Sequence, residues 1–292
     1  MDLRAIFLGL AFALMWSSAF TSARIIVTDA PPLTVLAIRF AISGLIAVAV
    51  ARAMGQSWSL TQAQWRATLT FGLCQNALYL GLNFIAMQTI EASLAAIVAS
   101  SLPLWVAVAG WAFFGERLRA LGVFGLIAGF GGVLLITGAR LSVGVDAFGL
   151  ALCGAGVLAL TFATLSVRGA SSGGNVLMIV GLQMIVGSVL LAAAGVATEQ
   201  WDVRYSWTLA AAFSYTVMVP GLAATWVWFT LVNRIGAVRA ATFHFLNPFL
   251  GVAIAAALLG ESITGLDLAG VAIIAGGILA VQVAQKPAAP NG

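Results

Sequence analysis

Long apolar stretches punctuated by single charges set the pattern of this chain. Nine windows free of Asp, Glu, Lys and Arg reach 18 residues or more: 5–23, 67–90, 92–115, 120–139, 147–167, 169–198, 205–233, 240–260 and 268–285. As helices rising about 1.5 Å per residue, all are long enough to cross a hydrocarbon core about 30 Å thick. A tenth window, Leu33 to Ala51, holds one charge, Arg39. Barrel strands would be about 10 residues long and alternate in polarity. The pattern therefore predicts an all-α integral membrane protein with ten transmembrane helices.

Composition sharpens this reading. With 62% hydrophobic and 8% charged residues, the chain lacks the polar surface a water-soluble globule needs, and a soluble enzyme is excluded. Its 32 glycines run through the apolar windows, where small residues let helices approach closely in lipid. The net charge of +4 is scattered over short loops and forms no nucleic-acid-binding patch. Its asymmetry reports orientation instead. With the N-terminus inside, that side carries Arg4, Arg52, Arg66, Arg117, Arg119, Arg168, Arg234, Arg239 and Lys286, against Arg24, Arg140 and Arg204 outside. Both termini are thus expected in the cytoplasm. The first apolar run is longer than a signal peptide's and lacks an A-x-A-like cleavage site, so it is expected to be retained. Cys74 and Cys153 fall within predicted helices, where they act as small hydrophobes, and no disulfide or metal spacing exists. No cofactor or metal is expected.

An offset of 145 residues brings punctuating residues into register. Gly9 meets Gly154, Pro103 meets Pro248, Gly115-Glu116 meets Gly260-Glu261, Gly125 meets Gly270, and Gly131-Gly132 meets Gly276-Gly277. Pro, Glu and paired Gly mark breaks, loops and close contacts, so these matches carry more information than apolar ones. The chain divides into a first five-helix repeat at 1–145, a second at 146–285, and a cytoplasmic tail at 286–292. Five crossings per unit force the second repeat to enter the membrane inverted, a device recurrent in secondary transporters.

These residues also carry a resemblance. The ten-helix repeat, Trp16-Ser17-Ser18 with Phe20 in the first helix, Ile38-Arg39-Phe40 in the second, and a Pro followed by Gly-Glu in the fourth and ninth resemble the EamA-type drug/metabolite transporters. Within that family the chain looks most like bacterial aromatic amino acid exporters of the YddG type. The resemblance implies a small-metabolite exporter of the bacterial inner membrane, with a central cavity and cytoplasmic termini.

Several polar and aromatic groups inside the windows are candidate cavity walls. Gln75, Asn76, Tyr79 and Asn83 share a face of the third helix by their spacing. They either contact substrate or bond between helices. His244, Asn247 and Pro248 share a face of the ninth, where Pro248 frees a carbonyl one turn earlier. Ser100, Ser101 and Pro103 lie at the equivalent depth of the fourth, and paired discontinuities of this kind point to a transport site, unless they only shape packing. His244, the single imidazole in the chain, is a candidate proton carrier or a neutral hydrogen-bonding partner. No carboxylate lies near the middle of a span, so facilitated or exchange transport is expected over carboxylate-coupled transport.

Arg39, about 9 Å from the outer end of its window at 1.5 Å per residue, is expected to snorkel to the interface. The functional alternatives are an outer gate with Glu91 or a partner for a substrate carboxylate. Trp58, Trp65, Trp201 and Trp207 sit near helix ends, as interfacial indoles do. Trp16, Trp105, Trp226 and Trp228 lie deeper and suit an aromatic or cationic substrate. Thr161 and Thr164 either complete that wall or bond back to the preceding turn. Gly125-x-x-x-Gly129 fits a close helix contact. Gly115-Glu116 and Gly260-Glu261 read as a helix-ending glycine and an acid favourable to the next helix.

The expected substrate-binding set is therefore Trp16, Ser17, Gln75, Asn76, Tyr79, Asn83, Ser100, Trp105, Thr161, Trp226, His244 and Asn247. Arg39, Glu91, Pro103 and Pro248 are assigned to gating or structure. The function expected is export of small amphipathic metabolites, amino acids and aromatic ones above all, by alternating access at an uncharged polar and aromatic cavity between the halves. Its partners are the substrate and the lipid bilayer, in a monomer or weak homo-oligomer. The rivals are a membrane scaffold or receptor, and an intramembrane enzyme. The enzyme lacks support: there is no H-E-x-x-H or buried aspartate pair, and one His cannot form a two-His metal site within one subunit.

Overall fold

A computed structural model describes residues 3–116, 119–166, 173–235, 240 and 242–284. The positive residues Arg117, Arg168, Arg239 and Lys286, which enter the orientation argument, lie outside that set. Among the described residues all regular structure is helical. Nine helices are long and apolar enough to span a bilayer: α1 (Leu3–Asp29), α2 (Pro32–Ala53), α3 (Gln62–Ala86), α4 (Ala92–Phe114), α5 (Ala120–Ser142), α6 (Ala147–Ser166), α7 (Val176–Thr198), α8 (Trp207–Val232) and α10 (Gly265–Ala284). The tenth, α9 (Phe243–Leu259), is shorter.

Packing sorts the described residues along other lines than the sequence halves. One compact unit comprises Met1–Thr21, Ala92–Val145 and Ala224–Gly292, the other Ser22–Glu91 and Asp146–Ala223. Each unit therefore draws on both repeats.

In the first unit, α5 and α10 meet along a glycine seam. A Cβ on Gly125 would lie 2.7 Å from the carbonyl oxygen of Gly277, and one on Gly132 would lie 2.9 Å from that of Gly270. Gly125 thus permits the close helix contact its spacing predicts, while Gly129 receives the Leu104 side chain of α4. Without a hydrophobic force between helices in lipid, such close backbone approach supplies much of the association. Arg140 at the end of α5 pairs at 2.9 Å with Asp267, which also closes the first turn of α10 by accepting from Thr264 N at 2.9 Å. Gly9 makes room for Phe243, whose ring occupies the place a Cβ would take.

Gly115 and Gly260 end their helices at φ 65° and 69°, left-handed values a Cβ would strain. The acid that follows Gly260 acts elsewhere than expected. Glu261 accepts from the amides of Ala92 at 2.8 Å and Ser93 at 3.0 Å. It caps α4, some 169 residues away, and not the following helix, which Thr264 and Asp267 cap for themselves.

In the second unit, α2 and α7 pack through Gly44 and Gly181, each Cβ position lying 3.0 Å from the other's carbonyl oxygen. Ser188 ties the seam by donating to Ala37 O at 2.8 Å. Glu199 beyond α7 caps α2 through Leu33 N, Thr34 N and Thr34 Oγ1 at 2.7–2.8 Å. Asp146 caps α6, accepting from Phe148 N, Gly149 N and Thr89 Oγ1.

Two features have no counterpart in the charge pattern. Gly72–Leu80 of α3 and Val217–Ala223 of α8 are π-helical. Wide turns of this kind recur at functional sites, and the second contains Pro220.

Candidate functional site

In the first unit the chemistry gathers where α9 begins. Thr242–Leu246 forms a 3-10 turn that passes into α-helix at Asn247. Pro248 lacks an N–H, so the carbonyl of His244 loses its helical donor and the tight turn persists. Residues three apart eclipse in such a turn, and Asn247 Nδ2 comes within 2.9 Å of His244 Nδ1. An amide nitrogen can only donate, so Nδ1 accepts and the neutral ring carries its proton on Nε2. Ser17 of α1 makes longer contacts of 3.5 Å to the Asn247 backbone and side-chain oxygens.

Three aromatic rings surround that imidazole. Phe12 stands edge-on at 5.3 Å between centroids, Trp228 is tilted at 5.4 Å, and Trp16 is edge-on at 6.3 Å. Phe12 in turn lies 4.7 Å from Trp228 and 5.7 Å from Trp16. Edge-on and tilted geometries suit the ring quadrupoles. Phe12 is buried, whereas Trp16, Trp228 and His244 are each half-buried. The cluster thus leaves part of three ring surfaces uncovered.

The fourth helix is broken at the matching place. Ser100 and Ser101 form turns, and Pro103 starts the second helical segment. Both hydroxyls are used locally, Ser100 Oγ donating to Ala96 O at 2.7 Å and Ser101 Oγ to Val98 O at 2.6 Å. Trp105 packs edge-on to Phe130 at 4.9 Å. Of the residues expected here, Trp226 is 67% exposed and lies two positions, about 200° of helical rotation, from Trp228. Phe12 was missed, although its i, i+4 spacing to Trp16 signals a shared face.

The second unit holds the polar residues of α3. The π segment turns them toward two neighbours. Asn76 donates to Gln183 O of α7 at 2.8 Å, and its Cβ fills the space beside Gly187. Tyr79 and Asn83 face α6 beside Gly156. Asn83 Nδ2 donates to Tyr79 O at 2.7 Å, while its Oδ1 is buried without a partner. Gln75 is half-buried. Thr161 and Thr164 bond back to Val157 O and Leu160 O at 2.8 Å, the local use their position also allowed.

Arg39 does not snorkel. It is 7% exposed, its guanidinium lies 4.7 Å from the Phe40 ring centroid, and Nε donates to Thr216 O of α8 at 3.4 Å. Pro220, four residues on, has no N–H to give that carbonyl. The alternative, a pairing with Glu91, is not formed among the described residues. No group of three or more His, Cys, Asp or Glu that would hold a metal occurs among them either.

Both halves of the chain match one family model, that of the EamA-like transporter family, over residues 3–138 and 147–282. The chain belongs to the EamA-like transporter family. Its EamA domains occur twice, as the internal repeat requires. This EamA protein is 30% identical over 286 residues to the uncharacterized transporter YvbV of Bacillus subtilis, covering 96% of this chain and 93% of the relative. It is 24% identical over 294 residues to the uncharacterized inner membrane transporter YedA of Escherichia coli, with 97% and 93% covered. A probable amino-acid metabolite efflux pump of Salmonella typhimurium shares 26% identity over 285 residues, with 93% and 92% covered. One crystal structure superposes with a TM-score of 0.68 at 19% identity, covering 96% of this chain and 99% of that one, a likeness of fold. The EamA chain is a multi-pass membrane protein of a family named for transport, not for catalysis.

Proposed function

We propose that this EamA protein exports small amphipathic metabolites, amino acids with aromatic side chains foremost, by alternating access without a buried carboxylate relay. The observation that carries this reading is the half-buried cluster of Trp16, Trp228 and His244 at the discontinuity of α9. A planar ring is held there by stacking and edge contacts, an ammonium by the same π faces, and a polar oxygen by the imidazole Nε2–H. Neutral dipoles and aromatics bind without trapping, which lets one site release what it takes up. The broken α4 and α9, related by the repeat, supply the discontinuities on which such sites are built. The efflux role named for the Salmonella relative and the likeness to YddG-type exporters support the substrate class and direction. The membrane is proposed to be the bacterial inner membrane with both termini cytoplasmic, from the charge asymmetry.

Purified protein in liposomes preloaded with unlabelled phenylalanine, then given labelled Phe, Trp, Thr or a cationic drug, tests this. Counterflow of Phe and Trp above that of protein-free liposomes, unchanged by an imposed proton gradient, is expected. Absence of counterflow for every amino acid would remove the proposal. A strict gradient requirement that survives His244→Ala would remove the uncoupled mechanism.

A further inference from the structure

The second unit contains a cationic side chain that its surroundings do not neutralise. Arg39 sits within α2, 7% exposed, and its one hydrogen bond, to Thr216 O, is long at 3.4 Å. A guanidinium carries five N–H donors and stays charged under all ordinary conditions, so most of these donors have no acceptor among the described residues. No carboxylate pairs with it among them. Beside it Ser43, one turn along α2 and fully buried, has a hydroxyl oxygen without a hydrogen-bond partner.

Both groups converge on Gly221 in the π-helical segment of α8. A Cβ at that glycine would lie 3.1 Å from Ser43 Oγ, 3.1 Å from Thr216 O and 3.5 Å from Arg39 Nη2. A side chain there would crowd this polar corner, and glycine lets the three groups approach one another. Nε rests on Thr216 O, which leaves the Nη edge of the guanidinium uncommitted. A buried cation that lacks an anion is costly, and in a membrane span such a residue marks a substrate or ion pathway. The planar fork of a guanidinium matches the two oxygens of a carboxylate.

We propose that Arg39, Ser43 and the Gly221 corner form a subsite for the carboxylate of a small organic acid. The Nη edge of Arg39 donates both hydrogen bonds and Ser43 Oγ donates a third. The identity of the carboxylate as substrate rests on the carrier reading above. The subsite itself does not.

The test uses the purified full chain in detergent and reads binding by the change in intrinsic Trp fluorescence. Phenylacetate is titrated as the probe, with 2-phenylethylamine as the counterpart that carries an ammonium in place of the carboxylate and chloride as an inorganic anion. Phenylacetate is expected to bind wild type, to bind Arg39→Gln at least tenfold more weakly, and to bind Ser43→Ala several-fold more weakly. The amine is expected to bind all three alike. Arg39→Lys, which keeps the charge but not the fork, is expected to fall between wild type and Arg39→Gln. Equal phenylacetate affinity in wild type and Arg39→Gln would overturn the subsite. So would loss of the acid and amine together, the mark of a merely structural arginine, or a chloride response as strong as that to phenylacetate. If Arg39→Gln does not fold, the Ser43→Ala titration decides alone: unchanged phenylacetate affinity there overturns the proposal. Arg39-dependent binding without any amino acid counterflow would sink the carrier reading and leave the subsite standing. Counterflow of Phe that Arg39→Gln leaves intact would do the reverse.

Discussion

Replacing Gly277 by alanine adds one methyl group where the α5 and α10 backbones approach most closely. The new Cβ would lie 2.6 Å from Gly125 O, 2.6 Å from Gly129 N and 2.7 Å from Gly129 Cα. All three neighbours are backbone, so no rotamer change relieves the contact, and the helices must part by about 0.8 Å to reach an ordinary 3.4 Å. Overpacking of this kind costs about 2 kcal/mol, or about thirtyfold in the folded-to-unfolded ratio. The adjacent Gly276 is the internal control, since a Cβ there meets nothing within 4 Å. Gly276→Ala should stabilise α10 by about 0.5 kcal/mol through lost backbone freedom in the unfolded chain. Unfolding midpoints in a detergent series, followed by near-UV circular dichroism, measure both. Opposite signs are expected for the two neighbours. Equal shifts, or a neutral Gly277→Ala, would refute the close-approach argument for this seam.

The Asp146 carboxyl is held below the ordinary carboxylate range, first by the Thr89 hydroxyl and then by the Phe148 and Gly149 amides. A lowered folded value means that the cap stabilises fully above the unfolded pKa of about 3.9 and is lost as pH falls through the folded one. The melting difference between wild type and Asp146→Asn should therefore be constant from pH 7 to 5 and shrink below about pH 4; a difference that grows on acidification would contradict it. Asp267→Asn removes the ion pair with Arg140 at a site where the carboxylate is 3% exposed, and a loss of about 2 kcal/mol is expected, read in the same unfolding series. Asn247→Leu removes the donor to His244 Nδ1 and should lower Phe counterflow about tenfold, the value of one good hydrogen bond, while leaving the melting midpoint nearly unchanged.

Much of the fold was legible because lipid makes charge spacing decisive. Each long gap between charges became one helix, and where Arg24 interrupts α1 the helix runs on to Asp29 because its guanidinium donates to Met87 O. Pro103 and Pro248 announced their breaks, since a residue without an N–H cannot continue a helix unmarked. Pro220 sat in an equally apolar window, and its π turn went unread because a wide turn absorbs the missing donor without ending the helix. The π segment of α3 contains no proline at all, so no residue type signalled that Asn76 would turn to α7 while Tyr79 and Asn83 turned to α6. Side-chain direction was the harder matter. Trp226 and Trp228 are equally apolar in sequence, and only the position of Phe12 and His244 decides which one points inward. Arg39 was expected at the interface from side-chain length alone, whereas its actual neighbours, Ser43 and the Thr216 carbonyl, come from tertiary structure. Glu261 likewise caps a helix that sequence proximity could not identify.

In the proposed transport cycle the aromatic cluster around His244 holds the ring of the substrate. Counterflow of labelled phenylalanine through liposomes carrying Trp228→Ala, set beside Trp226→Ala, tests it most directly. A loss of at least about tenfold is expected for Trp228→Ala, an aromatic contact with its buried area being worth more than 1.4 kcal/mol. Trp226→Ala, whose side chain points away, should stay within about twofold of wild type. Equal rates for the two variants would contradict the account.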